Sequence, residues 1–310
     1  MTCEGSIRLR AHAKLNLCLE VLDRRDDGYH DLATVFQAIG LHDTLTVTIG
    51  PGEGIEVHSD GWAVPKGRGN LCWQAAEVFL ETALDLTGKI SIEVHKTLPP
   101  GGGLGGGSSD AAAVLVGLNR LTGEPLTDEG LVIEAARLGS DVAFFASGSG
   151  AALATGRGEI LTSLPGAENL PLVVVWPGEP VSTAWAYGLL SEDDFTDGCR
   201  AQCLAADMSQ TDAMGYNAFL EPVARQRPDV REAIAELEHA GAAKASLAGS
   251  GACVWGVFDS DEHAQRVAEA MRARGTWAHA TDPAHQGVAI SDDTNSCPRP
   301  SRGRARRWAA

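Results

Sequence analysis

The sequence predicts an α+β protein of two domains. Its 310 residues exceed one average domain. Strand-like and helix-like segments mix without the regular alternation that builds a parallel sheet. A polar stretch containing Gly and Pro, residues 161–169, interrupts the pattern near the middle. The expected division is therefore residues 1–162, residues 163–290 and a basic tail at 291–310.

Residues 7–22 alternate well enough to form a pair of short strands around Ala13-Lys14-Leu15-Asn16. Arg24-Arg25-Asp26-Asp27-Gly28 is a turn, rich in residues that accept tight backbone geometry. Residues 44–49 and 55–58 are β-branched, alternating strands. Residues 70–84 place Leu71, Ala75, Val78 and Phe79 on one side of a helix. A strand at 90–94, a loop at 99–107 and a helix at 110–121 follow. Thr127 caps a helix reaching residue 138. Beyond it come strands at 151–154 and 172–176, a helix at 230–240, a strand at 253–258 and a helix at 262–272. From Ser291 onward the Pro, Arg and Ser content, without apolar periodicity, predicts disorder.

Composition excludes several classes of function. No stretch approaches the roughly 20 uninterrupted apolar residues of a membrane span, and residues 1–10 lack the apolar run of a secretory signal. A cytoplasmic protein is expected. The formal net charge of −16 argues against nucleic acid as a generic partner. Arg299, Arg302, Arg304, Arg306 and Arg307 oppose that balance, in a tail expected to be solvated. The seven cysteines are scattered and never form a CxxC pair, which points to neither a disulfide framework nor a zinc site. Nothing indicates an obligate protein partner.

The loudest feature is Pro99-Pro100-Gly101-Gly102-Gly103-Leu104-Gly105-Gly106-Gly107-Ser108-Ser109. Glycines between a strand and a helix allow a backbone to approach something closely. The unpaired N–H groups of the helix start then face that object with a favourable dipole, and phosphate is the natural occupant. No Gly-Lys-Ser/Thr closes the loop, so it is not a P-loop. Gly101, Gly103 and Gly106 satisfy GxGxxG, but a dinucleotide fold needs an acid ending a second strand, and Leu121-Thr122-Gly123-Glu124-Pro125 is a turn. A flexible linker remains the bland alternative.

The loop resembles the second motif of the GHMP kinases, Pro-x-x-x-Gly-Leu-Gly followed by Ser-Ser, which binds ATP phosphates. Here Gly106 and Gly107 stand before Ser108 and Ser109, a spacing similar to that of the diphosphocytidyl-methylerythritol kinases within that superfamily. Alone, Lys14 reads as a strand lysine at a sheet rim, and Asp141 as a helix cap. Together their segments resemble the first GHMP motif and the acidic segment of that branch. The resemblance implies that Asp141 accepts the proton of the substrate hydroxyl while Lys14 orients it and stabilises developing charge. Ala143 stands where the branch usually has Pro.

Gly249, Ser250 and Gly251 resemble the third GHMP motif, a loop closing over phosphates. Arg24 to Leu32, with Tyr29 and His30, resembles the segment that separates the diphosphocytidyl-methylerythritol kinases from homoserine, mevalonate and galactose kinases. The implications are ATP as phosphate donor with Mg2+, whose ligands are unassigned, and a cytidyl alcohol phosphorylated at its 2-hydroxyl for isoprenoid precursors. Asn70 and Lys96 are the implied adenine contacts. Asn16, Tyr29, His30, Thr183 and Tyr187 are the implied substrate contacts, Tyr29 and Tyr187 sandwiching the base while His30 reads its edge. The implied architecture is that of the GHMP kinases, a ribosomal-protein-like N-terminal domain and a ferredoxin-like C-terminal domain. The rivals are a GHMP kinase for a small alcohol without cytidine, and a nucleotide-binding relative without catalysis.

Overall fold

In the computed structural model, residues 4–82, 86–209 and 212–294 are described. The chain opens with a long hairpin, β1 (Gly5–Arg24) and β2 (His30–Gly50), joined by the expected turn, in which Gly28 N–H donates to the Arg25 carbonyl. Then come β3 (Ile55–Gly61), α1 (Leu71–Thr82), β4 (Lys89–Lys96), α2 (Gly106–Leu121) and α3 (Asp128–Leu138). The short helix α4 (Ser140–Ala146) and strands β5 (Ala151–Thr155) and β6 (Ile160–Leu164) complete this half. The sheet runs β11-β1-β2-β4-β3, where β11 is the last strand (Val288–Thr294), with β5 paired to β2 and β6 to β5, and of these pairs only β3 and β4 lie parallel.

The second half contains β7 (Leu172–Trp176), α5 (Thr183–Tyr187), α6 (Cys199–Ala206), α7 (Leu220–Gln226) and α8 (Pro228–His239). It continues with β8 (Lys244–Leu247), β9 (Val254–Val257), α9 (Asp261–Arg272) and β10 (Trp277–Thr281), before β11 (Val288–Thr294) returns to the first sheet. Its four strands are ordered β10-β7-β9-β8, the fourth-first-third-second arrangement of a ferredoxin-like unit. The expected α+β architecture is the one observed.

Three apolar layers explain how the halves meet. Helices α1, α2 and α4 cover one face of the first sheet, with Phe79, Leu115 and Phe144 packed against Leu9, Leu45 and Ile92. Helices α8 and α9 cover the second sheet through Val230, Leu237 and Met271. Between the sheets, Leu15, Leu17 and Val35 meet Leu172, Val174 and Trp255. The middle of β1 is thus buried on both faces, whereas its first turns alternate buried and exposed.

That double burial corrects the reading of residues 7–22 as two short strands. The change in pattern at Ala13 marks where a second sheet covers the same strand, not where the strand ends. Two boundaries also move. The interdomain stretch at 161–169 begins inside β6, which pairs with β5. Residues 288–294, assigned partly to the second domain and partly to the tail, form the edge strand beside β1. Ser291 therefore does not begin a disordered end. Backbone pairing along β1 orders this strand, and an apolar pattern does not record it. The rest of the expected tail, 295–310, and position 84 of the first helix lie outside the described residues. Helix α2 starts at Gly106 rather than Asp110, so the last two glycines form its first turn.

Candidate functional site

A cavity of about 500 Å3 opens between the domains, above the doubly buried part of β1. Lys14, Asn16, Asn70, Asp141, Thr183 and Tyr187 all line it, as do residues 99–108 and Gly249 and Ser250. Ser109 and Gly251 are among the expected residues that stand off the lining, and so are Tyr29 and His30.

Lys14 is almost wholly buried, yet its ammonium faces the cavity. It donates to Asn16 Oδ1 at 2.8 Å and pairs with Asp141 Oδ2 at 3.7 Å. Asn16 in turn donates to Thr34 Oγ1 at 2.8 Å, and Thr34 donates to the Cys18 carbonyl at 2.6 Å. This relay fixes the amide orientation of Asn16 and aims its oxygen at the lysine. Asp141 lies in the first turn of α4, where a carboxylate is favoured, and its side chain remains 36% exposed. One partner is locked while the other is open to a ligand.

The glycine-rich loop is held on both sides by backbone. Lys14 N–H donates to the Leu104 carbonyl at 2.9 Å, and Cys253 N–H donates to the Gly102 carbonyl at 3.0 Å. Gly103 has φ +77°, and a Cβ there would overlap the Ala248 carbonyl oxygen. Gly105, at φ +72°, caps α2, and its Cβ would come within 2.9 Å of the Phe145 ring. Glycine is thus required here for close approach to the protein itself as well as to any phosphate. Past Gly105, α2 begins with no side-chain cap, so the N–H groups of Gly106, Gly107 and Ser108 are the ones a helix start leaves for a ligand.

The third loop closes against the second. Asn217, buried, donates through Nδ2 to the Leu247 and Gly249 carbonyls, both at 2.9 Å. Ser250 Oγ and Thr183 Oγ1 lie 3.2 Å apart, which ties this loop to the start of α5. Neither Asn217 nor Thr34 was singled out from sequence, where an isolated Asn or Thr carries no pattern.

Asn70 ties the cavity wall to α1: its Nδ2 donates to the Pro65 carbonyl, and its Oδ1 accepts from Cys72 N–H at the start of that helix. Lys96 is buried, and its ammonium is taken up by Asp43 and by Asp110 Oδ2, the latter at 2.6 Å. Burial opposes the charged ammonium, but Asp110 and Asp43 outweigh it and hold Lys96 above the usual lysine range. Asp110 closes the glycine-rich segment in the sequence, but neither it nor Asp43 carries a local signal of this pairing.

On the far side of the cavity His30 stacks on Tyr187, with ring centroids 4.9 Å apart and planes at 26°. Phe219 meets Tyr187 edge-on at 4.8 Å. Tyr29 is 58% exposed, and its ring lies 4.9 Å from the guanidinium of Arg157, a cavity-lining residue the sequence reading did not name. The expected sandwich of Tyr29 and Tyr187 is therefore not formed, because the hairpin turn carries Tyr29 outward while β2 points His30 inward. Burial, followed by the nearby charge of Asp141, pushes Tyr187 up to about 12, so its hydroxyl stays protonated.

Residues 70–149 match the GHMP kinases N terminal domain, and residues 201–276 match the GHMP kinases C terminal domain. The chain is 41% identical over 272 residues to the 4-diphosphocytidyl-2-C-methyl-D-erythritol kinase of Geobacter metallireducens, covering 88% of this chain and 96% of that one. It is 40% identical to the kinase of the same name from Chlorobium luteolum, covering 86% and 94%. A crystal structure of 4-(cytidine 5'-diphospho)-2C-methyl-D-erythritol kinase superposes with a TM-score of 0.76 at 36% identity, covering 88% of this chain and 98% of that chain. A homoserine kinase from Cytophaga hutchinsonii shares the fold at 20% identity, with a TM-score of 0.73 over 94% and 99% of the two chains.

Proposed function

The chain belongs to the 4-diphosphocytidyl-2-C-methyl-D-erythritol kinases of the GHMP family, and on that premise we propose that Lys14 and Asp141 catalyse transfer of the ATP γ-phosphoryl group to the 2-hydroxyl of its cytidyl substrate. The enzyme is an ATP-dependent kinase of isoprenoid precursor synthesis by the methylerythritol phosphate route. The observation that carries the assignment of roles is the 3.7 Å Lys14–Asp141 pair, standing between the glycine-rich loop and the His30–Tyr187 stack.

With triphosphate over the start of α2, the γ-phosphoryl group is presented toward Lys14. The ammonium, already oriented by Asn16, is a fixed positive charge where the transferred group gains negative charge. Asp141 accepts the hydroxyl proton as the new O–P bond forms, and before that holds the hydroxyl in line. Thr183 and Ser250 can hold the phosphates between the two ligands, and Tyr187, backed by the stacked His30, supplies the aromatic wall for cytosine. Among the described residues no group of three or more His, Cys, Asp or Glu could hold a metal ion. A magnesium ion brought by ATP would be held mainly by phosphate oxygens and water, with room for one or two carboxylates, and would neutralise phosphate charge.

Among the described residues no helix is long and apolar enough to cross a membrane, and with both ligands charged nucleotides the cytoplasm is the compartment assigned. The test is ATP turnover with the cytidyl alcohol, with a small alcohol lacking cytidine, and with neither. Turnover requiring the cytidyl group supports the reading. Equal rates with the small alcohol would replace it with a less selective GHMP kinase.

A further inference from the structure

Under the ATP loop, three charged side chains from three elements converge without entering the chemistry just described. Asp43 comes from β2, Lys96 from the last residue of β4, and Asp110 from the second turn of α2. Lys96 bridges the two carboxylates, and all three are buried. Asp43 reaches further: its Oδ1 accepts from Thr97 N–H at 2.6 Å and from Leu98 N–H at 2.9 Å, the two residues that lead into the glycine-rich loop. On the other side, a Cβ on Gly106 would lie 3.3 Å from Lys96 Nζ and 3.3 Å from Leu98, so the ammonium is packed directly beneath the first residue of α2. The triad therefore grips the ATP loop at both ends, at its entry through Asp43 and at its exit through Lys96 and Asp110.

We propose that Asp43, Lys96 and Asp110 form a positioning unit for nucleotide binding, setting the height of the loop and the seat of α2 beneath the phosphates. The proposal rests on the ATP reading of the loop and deepens it. Two observations support a positioning role. Asp43 is fully buried and does not line the cavity, so its effect on a ligand passes through the loop. Asp110 Oδ1 and the neighbouring Ser109 Oγ are buried without hydrogen-bond partners, a cost that a unit built only for stability would avoid. Lys96 and Asp110 do reach the cavity lining, but the Lys96 ammonium is taken up by two carboxylates there. Burial, with Lys96 opposing it and Asp43 adding to it, raises the Asp110 carboxyl above the usual carboxylate range.

The decisive variant is Asp43→Asn. It keeps the shape and an acceptor for Thr97 and Leu98, and it leaves Lys96 paired with Asp110. The KM for ATP should rise about tenfold or more, because small misplacements of a binding element are costly, while the KM for the cytidyl substrate should stay within about twofold. A second variant, Asp43→Asn with Lys96→Met and Asp110→Asn, leaves no buried charge unpaired and should melt near the wild type. Its ATP KM should nevertheless remain raised. An unchanged ATP KM in Asp43→Asn, or recovery of it in the triple variant, would overturn the proposal and leave the triad as packing alone. A raised ATP KM in Lys96→Met with none in Asp43→Asn would overturn it too, by making Lys96 a direct contact. Failure of the ATP reading itself would look different: the wild-type protein would show no saturable ATP turnover.

Discussion

The two ends of the cavity are built in different ways. At the nucleotide end, position is held by the main chain: loop 99–105 is clamped by Lys14 and Cys253 amides, Asn217 ties down the facing loop, and a buried ion triad lies beneath. At the cytidyl end, the walls are side chains, and the two halves of the molecule touch through the His30–Tyr187 stack, with Tyr29 and Arg157 in the open. A phosphate is the same in every kinase of this kind and is well served by fixed N–H groups. A base is recognised by shape and edge, which side chains can vary without disturbing the fold. The fixed end should therefore fail by large steps, and the variable end by small ones.

The largest expected effect is at the junction of the two. Asp141→Asn should lower turnover by about 100-fold or more, the usual scale for a positioned acid or base. Melting temperature and ATP affinity should be kept, since the carboxylate is partly exposed and its ion pair is loose. Near-normal turnover in this variant would remove Asp141 from the chemistry.

Gly103→Ala tests the fixed end. Even a methyl group meets the Ala248 carbonyl at a backbone angle that disfavours side chains, a strain of about 1–3 kcal/mol. The variant should melt lower and weaken ATP about tenfold or more, with a smaller effect on the cytidyl substrate. Calorimetry with both ligands decides, and equal weakening of the two would erase the contrast between the ends.

The variable end predicts two unequal losses. Tyr187→Ala removes a stacked ring inside the cavity and should cost the cytidyl substrate about 1–3 kcal/mol, or roughly 5- to 150-fold in affinity. Tyr29→Ala removes an exposed ring beside Arg157 and should cost only about 0.5–1 kcal/mol. Both should spare ATP. A larger loss at Tyr29 than at Tyr187 would mean that the turn swings inward to complete the sandwich when the base binds.

The smallest effect is titration of His30. Burial, and then the charge of Arg24, hold its imidazole below the ordinary 6.5. The folded protein therefore prefers the neutral ring. The stability this contributes is complete above 6.5 and is lost as pH falls from there through the lower folded value. Affinity for the cytidyl substrate should be level from neutral pH upward and decline only on the acid side, and His30→Gln should flatten that decline. An affinity that already changes above neutral pH would point to another group.

Much of this protein is determined by local sequence. Loop 99–109 stands out as a candidate phosphate site because glycine spacing and the helix after it are local facts, and Lys14 and Asp141 stand out as candidates through the motifs around them. Strand β1 was only half legible, because its middle is buried on both faces by elements distant in the chain and loses the alternation that sequence periodicity reads. Of helix α2 only the first turn, Gly106 to Ser109, escaped the helical reading, because its glycines read as loop. Edge strand β11 had no signal because its order comes from backbone pairing with β1. The stack of His30 on Tyr187 and the meeting of Asp43, Lys96 and Asp110 were decided by tertiary structure alone. Each depends on residues 14 to 157 positions apart in the chain, and the free energy that brings such residues together is the burial of the three apolar layers, which no short segment contains.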